Sequence, residues 1–369
     1  MMRVGIDARF WGTNTGIGRY VEELVKAMLK EAAGAEFVLF LRKNNWDMAP
    51  EGAERVLADC RWYTLGEQIL LPRIFDGAKC DLIHFPHWNV PVGVRTPYVL
   101  TIHDLLLLRH PSARATLLGP LRYAVKKMGF NFVLRKAVSN ARAIISPSEF
   151  SARRVREHFP GSASKIKVVY EGLPALKSGP EFSSLEQRGA RKPYLFYVGN
   201  AYPHKNLETL IAAAIKLRES GEEINLVLAG RKDAFYERLE DKFGSEKSVI
   251  FFGEATDEEL DTLYKNAEAY VFPSLEEGFG LPGLEAVARG IPVIASERGA
   301  LPEIYGNAAL YFNPDKVGEL AGAIAKIRRE SEFRIKMIRE GNERVKRFQW
   351  EEAARQTFDI YKNALNFKP

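Results

Sequence analysis

The chain has 369 residues, 46% hydrophobic and 27% charged, with a formal net charge of +6 and no low-complexity tract, which excludes a disordered or fibrous protein. It is longer than one hydrophobic core usually supports, so two domains are expected. No apolar run approaches the ~20 residues of a membrane span, and two cysteines, Cys60 and Cys80, give no disulfide framework. With an opening, MMRVGIDARF, that lacks the apolar segment of a secretory signal, these features point to the cytoplasm.

Short apolar, β-branched runs alternate with helical patterns. The runs predict strands over Arg3–Arg9, Phe37–Leu41, Leu82–Phe85, Tyr98–His103, Ala143–Ser146 and Ile166–Tyr170 in the first half. In the second half they predict Tyr194–Val198, Asn225–Ala229, Val249–Phe252, Ala269–Phe272, Pro292–Ala295 and Ala309–Phe312. Uniformly apolar strands separated by helices indicate parallel sheets covered on both faces, hence two doubly wound α/β domains. The boundaries are 1–175 and 194–350. The stretch 176–193, rich in Pro, Gly, Ser and charge, reads as a linker. The last segment, FQWEEAARQTFDIYKNAL, has Trp350, Ala354, Phe358 and Tyr361 at helical spacing.

Candidate site residues follow in chain order. After the first strand, Gly16 and Gly18 open a helix with the spacing G-x-x-x-G-x-G from Gly12, which is not the dinucleotide fingerprint. His84 and His87 in IHFPHW have a ligand-like spacing but no third partner, so a metal site is not indicated. The strand PYVLTIHDL ends in His103-Asp104, at the ligand-bearing end of a parallel strand, where a neutral histidine can hydrogen-bond a hydroxyl; the plainer reading is a structural histidine. From Asp104 to Glu149 no acid occurs, while Arg109, Arg114, Arg122, Lys126, Lys127, Arg135, Lys136 and Arg142 do. Leu117, Leu121, Val125, Met128 and Phe132 recur through that stretch at helical spacing. It reads either as a core helix with a solvated basic face or as a surface for anionic lipid, with nucleic acid a weaker third option because no binding motif accompanies the charge.

In the second half, Lys205 follows the strand YLFYVGN, at a strand-to-helix turn. SLEEGFGLPGLEA follows the strand AYVFPS. Gly278 and Gly280 let the backbone turn sharply, and Pro282 suits a first helical turn. The N–H groups there make an anion site. Glu285, about one turn into the helix, can accept two hydrogen bonds from a vicinal diol, and Glu277 precedes the anion loop. The plain alternative is a strand-helix turn with acids at its start. No Asp-x-Asp pair occurs, so a metal-held diphosphate is not indicated.

These motifs resemble the retaining glycosyltransferases of family 4, with the GT-B fold. The resemblance rests on PSLEEGFGLPGLEA, the turn Gly199–Asn206, GIGRY, TIHDL and IPVIASERGALPEIYG, and runs from about residue 3 to 365. It implies two facing Rossmann-like domains with a cleft between them. The first (1–175) binds acceptor, the second (194–350) binds a nucleotide sugar, and the C-terminal helix (351–369) crosses back to the first. The resemblance puts the Gly280 and Leu281 amides, with Lys205, at the diphosphate, Glu285 at the ribose and Glu277 at the donor sugar, and counts Asn200, Gly278 and Phe279 among the donor-binding residues. His103 would lie beside that sugar and Gly16 would approach the diphosphate, with Gly18 also among the donor-binding residues. His103, Glu277 and Lys205 are the catalytic candidates. Two positions depart from the family: Asn200 stands where many members have Arg, and Glu171 replaces a commoner Asn.

The implied function is retaining, metal-independent transfer of a hexose, mannose from GDP-mannose first, to a glycan or lipid-linked glycan. No cofactor and no nucleic acid is implied, and contact with the inner face of an anionic membrane is one reading of the basic segment. Alternatives are a UDP-sugar-dependent transferase, a non-hydrolysing sugar-nucleotide epimerase, an NAD-dependent oxidoreductase and a catalytically silent carbohydrate-binding protein.

Overall fold

The computed structural model describes residues 1–13, 15–32, 34–109, 120–175 and 177–366 and, within them, side chains other than those of residues 107, 109 and 120–126. The chain forms two units. The first comprises the described parts of Met1–Arg109, Thr116–Gly172 and Phe348–Pro369, and the second is built on Leu173–Arg347.

The first unit holds strands β1 (Met2–Asp7), β2 (Ala35–Leu41), β3 (Glu54–Leu57), β4 (Leu82–Phe85), β5 (Tyr98–Thr101), β6 (Ala143–Ser146) and β7 (Ile166–Val168). They form one sheet in the order β3-β2-β1-β4-β5-β6-β7, with every pairing parallel. The second unit holds β8 (Tyr194–Val198), β9 (Asn225–Ala229), β10 (Val249–Gly253), β11 (Ala269–Phe272), β12 (Val293–Ser296) and β13 (Ala309–Phe312). Their order is β10-β9-β8-β11-β12-β13, again all parallel. Both are doubly wound Rossmann-like sheets. The order reverses between β1 and β4 in one and between β8 and β11 in the other, and ligands of such sheets bind at that reversal, beyond the carboxyl ends of the strands.

All residues of β4, β5, β6 and β11 are buried, as expected for strands covered on two faces. The edge strand β3 is absent from the sequence reading. Its sequence, ERVL, is half polar and lines the edge, where one flank needs no apolar cover. The stretch read as a linker differs too. The helix Phe182–Glu186 lies within it, Leu185 is buried, and Thr262 Oγ1 donates to the Pro180 carbonyl at 2.7 Å. The segment 177–193 is therefore docked on the second unit. Its Gly, Ser and charge reflect a surface path, not a free tether.

The C-terminal helix, Trp350–Asn366, packs on the helix Gly16–Glu31. Trp350, Ala354 and Tyr361 are buried and Phe358 half-buried, the face its spacing predicts. Tyr361 Oη lies 2.6 Å from His84 Nδ1, tying the helix to β4.

Candidate active site

In the second unit the reversal of strand order sets the loop after β8 beside the loop after β11. Asn206 joins them. Its backbone is left-handed (φ +56°), and its Nδ2 donates to the carbonyls of Pro273, at 3.2 Å, and Pro314, at 2.8 Å. Leu275 N donates to the His204 carbonyl at 2.7 Å. The result is a contact that no local pattern announces: Lys205 Nζ lies 2.7 Å from Glu277 Oε1. The side chains are 15% and 10% exposed.

Past Glu277 the chain turns at Gly280 (φ +107°) into the helix Leu281–Ala288, with Pro282 in its first turn. Gly280 supplies no side-chain cap, and the first N–H groups of any helix lack intrahelical acceptors. Pro282 has no N–H and Gly283 N donates to the Gly280 carbonyl at 3.2 Å, so the N–H groups this turn can present are those of Gly280 and Leu281, at the positive end of a helix dipole. Glu285 is buried one turn in. Its carbonyl accepts from Arg289, whose Nε also binds Asp261 at 2.9 Å. Glu277 is held from behind: Ala300 N donates to its carbonyl at 3.0 Å. Gly299 (φ +71°) lies so close that a Cβ there would fall 2.6 Å from Glu277 N. That is why the stretch around IASERGALPE belongs to the site without facing it.

A set of buried tyrosines beneath these loops was missed by sequence reasoning. Tyr197 donates its hydroxyl to the Asn200 carbonyl at 2.8 Å, Tyr236 to Gly199 at 3.0 Å and Tyr270 to Val198 at 3.4 Å. Tyr305 donates to Gly280 at 2.6 Å and Tyr264 to Pro282 at 3.0 Å. Burial pushes all five phenols well up from their ordinary range. Each is a neutral donor to a site carbonyl, and Tyr236 also reaches the Ala229 carbonyl at 3.1 Å. Strand tyrosines read as apolar core in the sequence, and only their hydroxyl partners reveal the second role. Asn200 is exposed, and its Oδ1 accepts from Tyr202 N at 3.3 Å, closing its own loop. Phe279 is buried.

His103, Gly16 and Gly18 belong to the first unit. Gly16 begins its helix with open space around it. The Gly18 amide is taken by the cap Thr15, whose Oγ1 accepts from it at 3.1 Å, and a Cβ there would strike the Thr13 carbonyl. Gly18 thus has a packing role independent of any ligand. His103 follows β5. The sequence leaves it either a neutral ring facing a ligand or a structural histidine, and in the structure both ring nitrogens have partners within the protein. Nδ1 lies 3.1 Å from Glu171 Oε1, and Nε2 lies 3.1 Å from the Pro86 carbonyl. Burial opposes the charged ring, but the hydrogen bond and charge of Glu171, with Asp104 and Pro86, outweigh it and raise its pKa. The Glu171 that departs from the family pattern is the partner of His103.

His84 is buried, with Nε2 2.7 Å from Thr101 Oγ1 and Nδ1 on Tyr361. His87 Nε2 lies 3.3 Å from Tyr63 Oη. Burial first, then repulsion from His103, lowers both pKa values to about 3. His84 is thus a structural link. Among the described residues no three His, Cys, Asp or Glu side chains gather as metal ligands.

Of the basic segment, Arg114 and Leu117 lie outside the described residues, as do the side chains of Arg109, Leu121, Arg122, Val125 and Lys126. The helix Pro120–Asn140 buries Leu134, Ala137 and Val138. Met128 and Phe132, buried under one of the two sequence readings and exposed under the other, are 73% and 56% exposed. Exposed Lys127, Arg135 and Lys136 flank them. Among the described residues no helix is long and apolar enough to cross a membrane.

Comparison with known proteins bears on this arrangement. The family model "Glycosyl transferases group 1" matches residues 181–344 and "Glycosyltransferase Family 4" matches 14–175. The chain is similar to O-antigen chain mannosyltransferase B of Escherichia coli, 30% identical over 94% of this chain and 96% of that one. It is also similar to O-antigen chain mannosyltransferase RfbU of Salmonella typhimurium, 27% identical over 72% of this chain and 70% of the other. In fold it resembles HepE of Anabaena, solved with UDP and glucose, with a TM-score of 0.77, 19% identity and coverage of 98% and 100%.

Proposed function

Because the chain belongs to the group 1, family 4 glycosyltransferases of the GT-B fold, we propose that it moves a hexose, mannose from GDP-mannose first, to a glycan or lipid-linked glycan. We assign retention of anomeric configuration and independence of divalent metal. The observation that carries this reading is the Lys205–Glu277 pair at the reversal of strand order, beside an uncapped helix N-terminus. A nucleoside diphosphate leaves without a proton from a strong acid; it needs its growing negative charge stabilised. One ammonium and the amides around Gly280 and Leu281 meet that need. Glu277 supplies negative charge where the sugar becomes cation-like, and Glu285 supplies acceptors for the ribose diol. A glycosidase pair, by contrast, requires a proton-donating carboxylic acid. His103 and Gly16 are assigned to the donor on resemblance alone. Mannose is preferred because two of the similar proteins are mannosyltransferases by name.

The test is incubation with GDP-mannose and UDP-glucose, with and without glycan acceptor and with EDTA. Acceptor-dependent GDP release unaffected by EDTA, with the anomeric configuration retained by NMR, is expected. Loss of release in EDTA defeats the metal assignment. Release from UDP-glucose alone defeats the donor assignment.

The helix Pro120–Asn140 is assigned to an anionic membrane surface. Support comes from two exposed apolar side chains, Met128 and Phe132, among exposed cations, each cation contributing about 1 kcal/mol near such a surface. Sedimentation with anionic but not neutral vesicles, lost in a Met128→Ser/Phe132→Ser variant, is expected. Equal sedimentation of both proteins refutes the assignment.

A further inference from the structure

We propose that Glu171 is a positioning residue for transfer, locking the ring of His103 and holding both its nitrogens protonated at neutral pH. A carbonyl oxygen only accepts, so the 3.1 Å approach of Nε2 to Pro86 O places a proton on Nε2. The 3.1 Å contact of Nδ1 with Glu171 Oε1 then needs a second proton, since a lone pair facing a carboxylate oxygen repels it.

The surroundings keep that proton on the ring. Asp104 adds negative charge from the chain beside it. From β4 and its following loop, His84 and His87 face the ring, and both are neutral at physiological pH. From the helix Gly16–Glu31, Tyr20 meets the ring edge-on at 4.7 Å with its hydroxyl turned to Thr101. The pair as a whole carries no net charge, so enclosing it costs far less than enclosing a lone ion. Enclosure is substantial, with side chains 18% and 8% exposed.

The geometry is also fixed mechanically. Glu171 reaches from the loop after β7, across the end of β6, to the loop after β5. The next residue, Gly172, abuts the backbone of Trp350 at the start of the C-terminal helix, where a Cβ would clash. Ser151 Oγ donates to the His103 carbonyl at 2.7 Å. A ring with both nitrogens engaged is unsuited to shuttle a proton. It holds a fixed orientation instead, and the sequence invests a carboxylate in holding it.

This inference rests on the assignment of His103 to the donor, and its test separates the two. The ring is followed by NMR of histidine-labelled protein, without substrate, in wild type, Glu171→Gln and Glu171→Asp. Glu171→Gln is expected to lower the His103 titration midpoint by about 1–3 pH units, and Glu171→Asp to keep most of the elevation. In transfer assays Glu171→Gln is expected to lower kcat about tenfold at pH 8, leave the donor KM unchanged and recover in part at pH 6, where solvent supplies the proton. Circular dichroism verifies folding. In a His103→Asn background Glu171→Gln adds no further loss. An unshifted midpoint, or an equal loss at pH 6 and pH 8, overturns the proposal. The shift without detectable transfer from any nucleotide sugar overturns the donor assignment of His103 and leaves the pair standing.

Discussion

Lys205→Ala removes the ammonium 2.7 Å from Glu277 Oε1 and strands a carboxylate whose side chain is 10% exposed. Removing one partner of a fully buried ion pair costs about 3–5 kcal/mol. The residual exposure of this pair screens part of that, so a loss of about 2–3 kcal/mol is expected from urea unfolding. The kinetic loss has a separate origin. One donor to a departing anion is worth about 2.7–4 kcal/mol, so kcat at saturating donor is expected to fall about 10²–10³-fold. The Lys205→Ala/Glu277→Ala variant tells the two apart. It removes the stranded charge and is expected to regain most of the stability and none of the turnover. The assay is acceptor-dependent release of nucleoside diphosphate, with unfolding followed in parallel. A Lys205→Ala enzyme within about threefold of wild type, or a double variant that recovers turnover, refutes the reasoning.

Glu285→Ala is expected to weaken nucleotide binding by calorimetry, by roughly the 1.5–3 kcal/mol of hydrogen bonds to a charged group, with a smaller effect on kcat; native affinity would remove the ribose assignment. Tyr305→Phe deletes the hydroxyl 2.6 Å from the Gly280 carbonyl. A loss of about 1 kcal/mol in stability and a parallel loss of nucleotide affinity are expected, and unchanged affinity would show that the turn does not depend on it. Acid should destabilise the first unit through His84 and His87. Their folded pKa values, about 3, lie below the unfolded value near 6.5, so the unfolded chain binds more protons in acid. Their contribution is complete above about pH 6.5 and is lost as pH falls toward 3, whereas that of His103, whose pKa is raised, is lost as pH rises through that value. The urea midpoint should drop between pH 7 and pH 5, and less steeply in His84→Gln. An identical slope in that variant contradicts the account.

The fold was legible because the chain states it redundantly. Twelve of the strands lie in predominantly apolar runs, and β3 escaped because its sequence, ERVL, is half polar. The glycine turn was legible because Gly280 and Pro282 have local backbone reasons to be there. Contacts between distant loops were not legible. Glu277 with Lys205 spans 72 residues and His103 with Glu171 spans 68. Nothing near either member signals the other; strand order brings them together. Met128 and Phe132 show a limit of another kind. Their helical spacing is real, but periodicity says that residues share a face, not which way the face turns.

The five phenols under the second unit's loops have a consequence for how this scaffold diversifies. They grip the chain through oxygens that every amino acid carries, so the grip is indifferent to the side chains displayed above it. Residues such as Asn200 and Phe279 can be exchanged while their carbonyl, or that of a neighbour, remains tethered. A lineage can therefore retune which sugar or base it accepts without rebuilding the loops, as long as the anchors underneath persist.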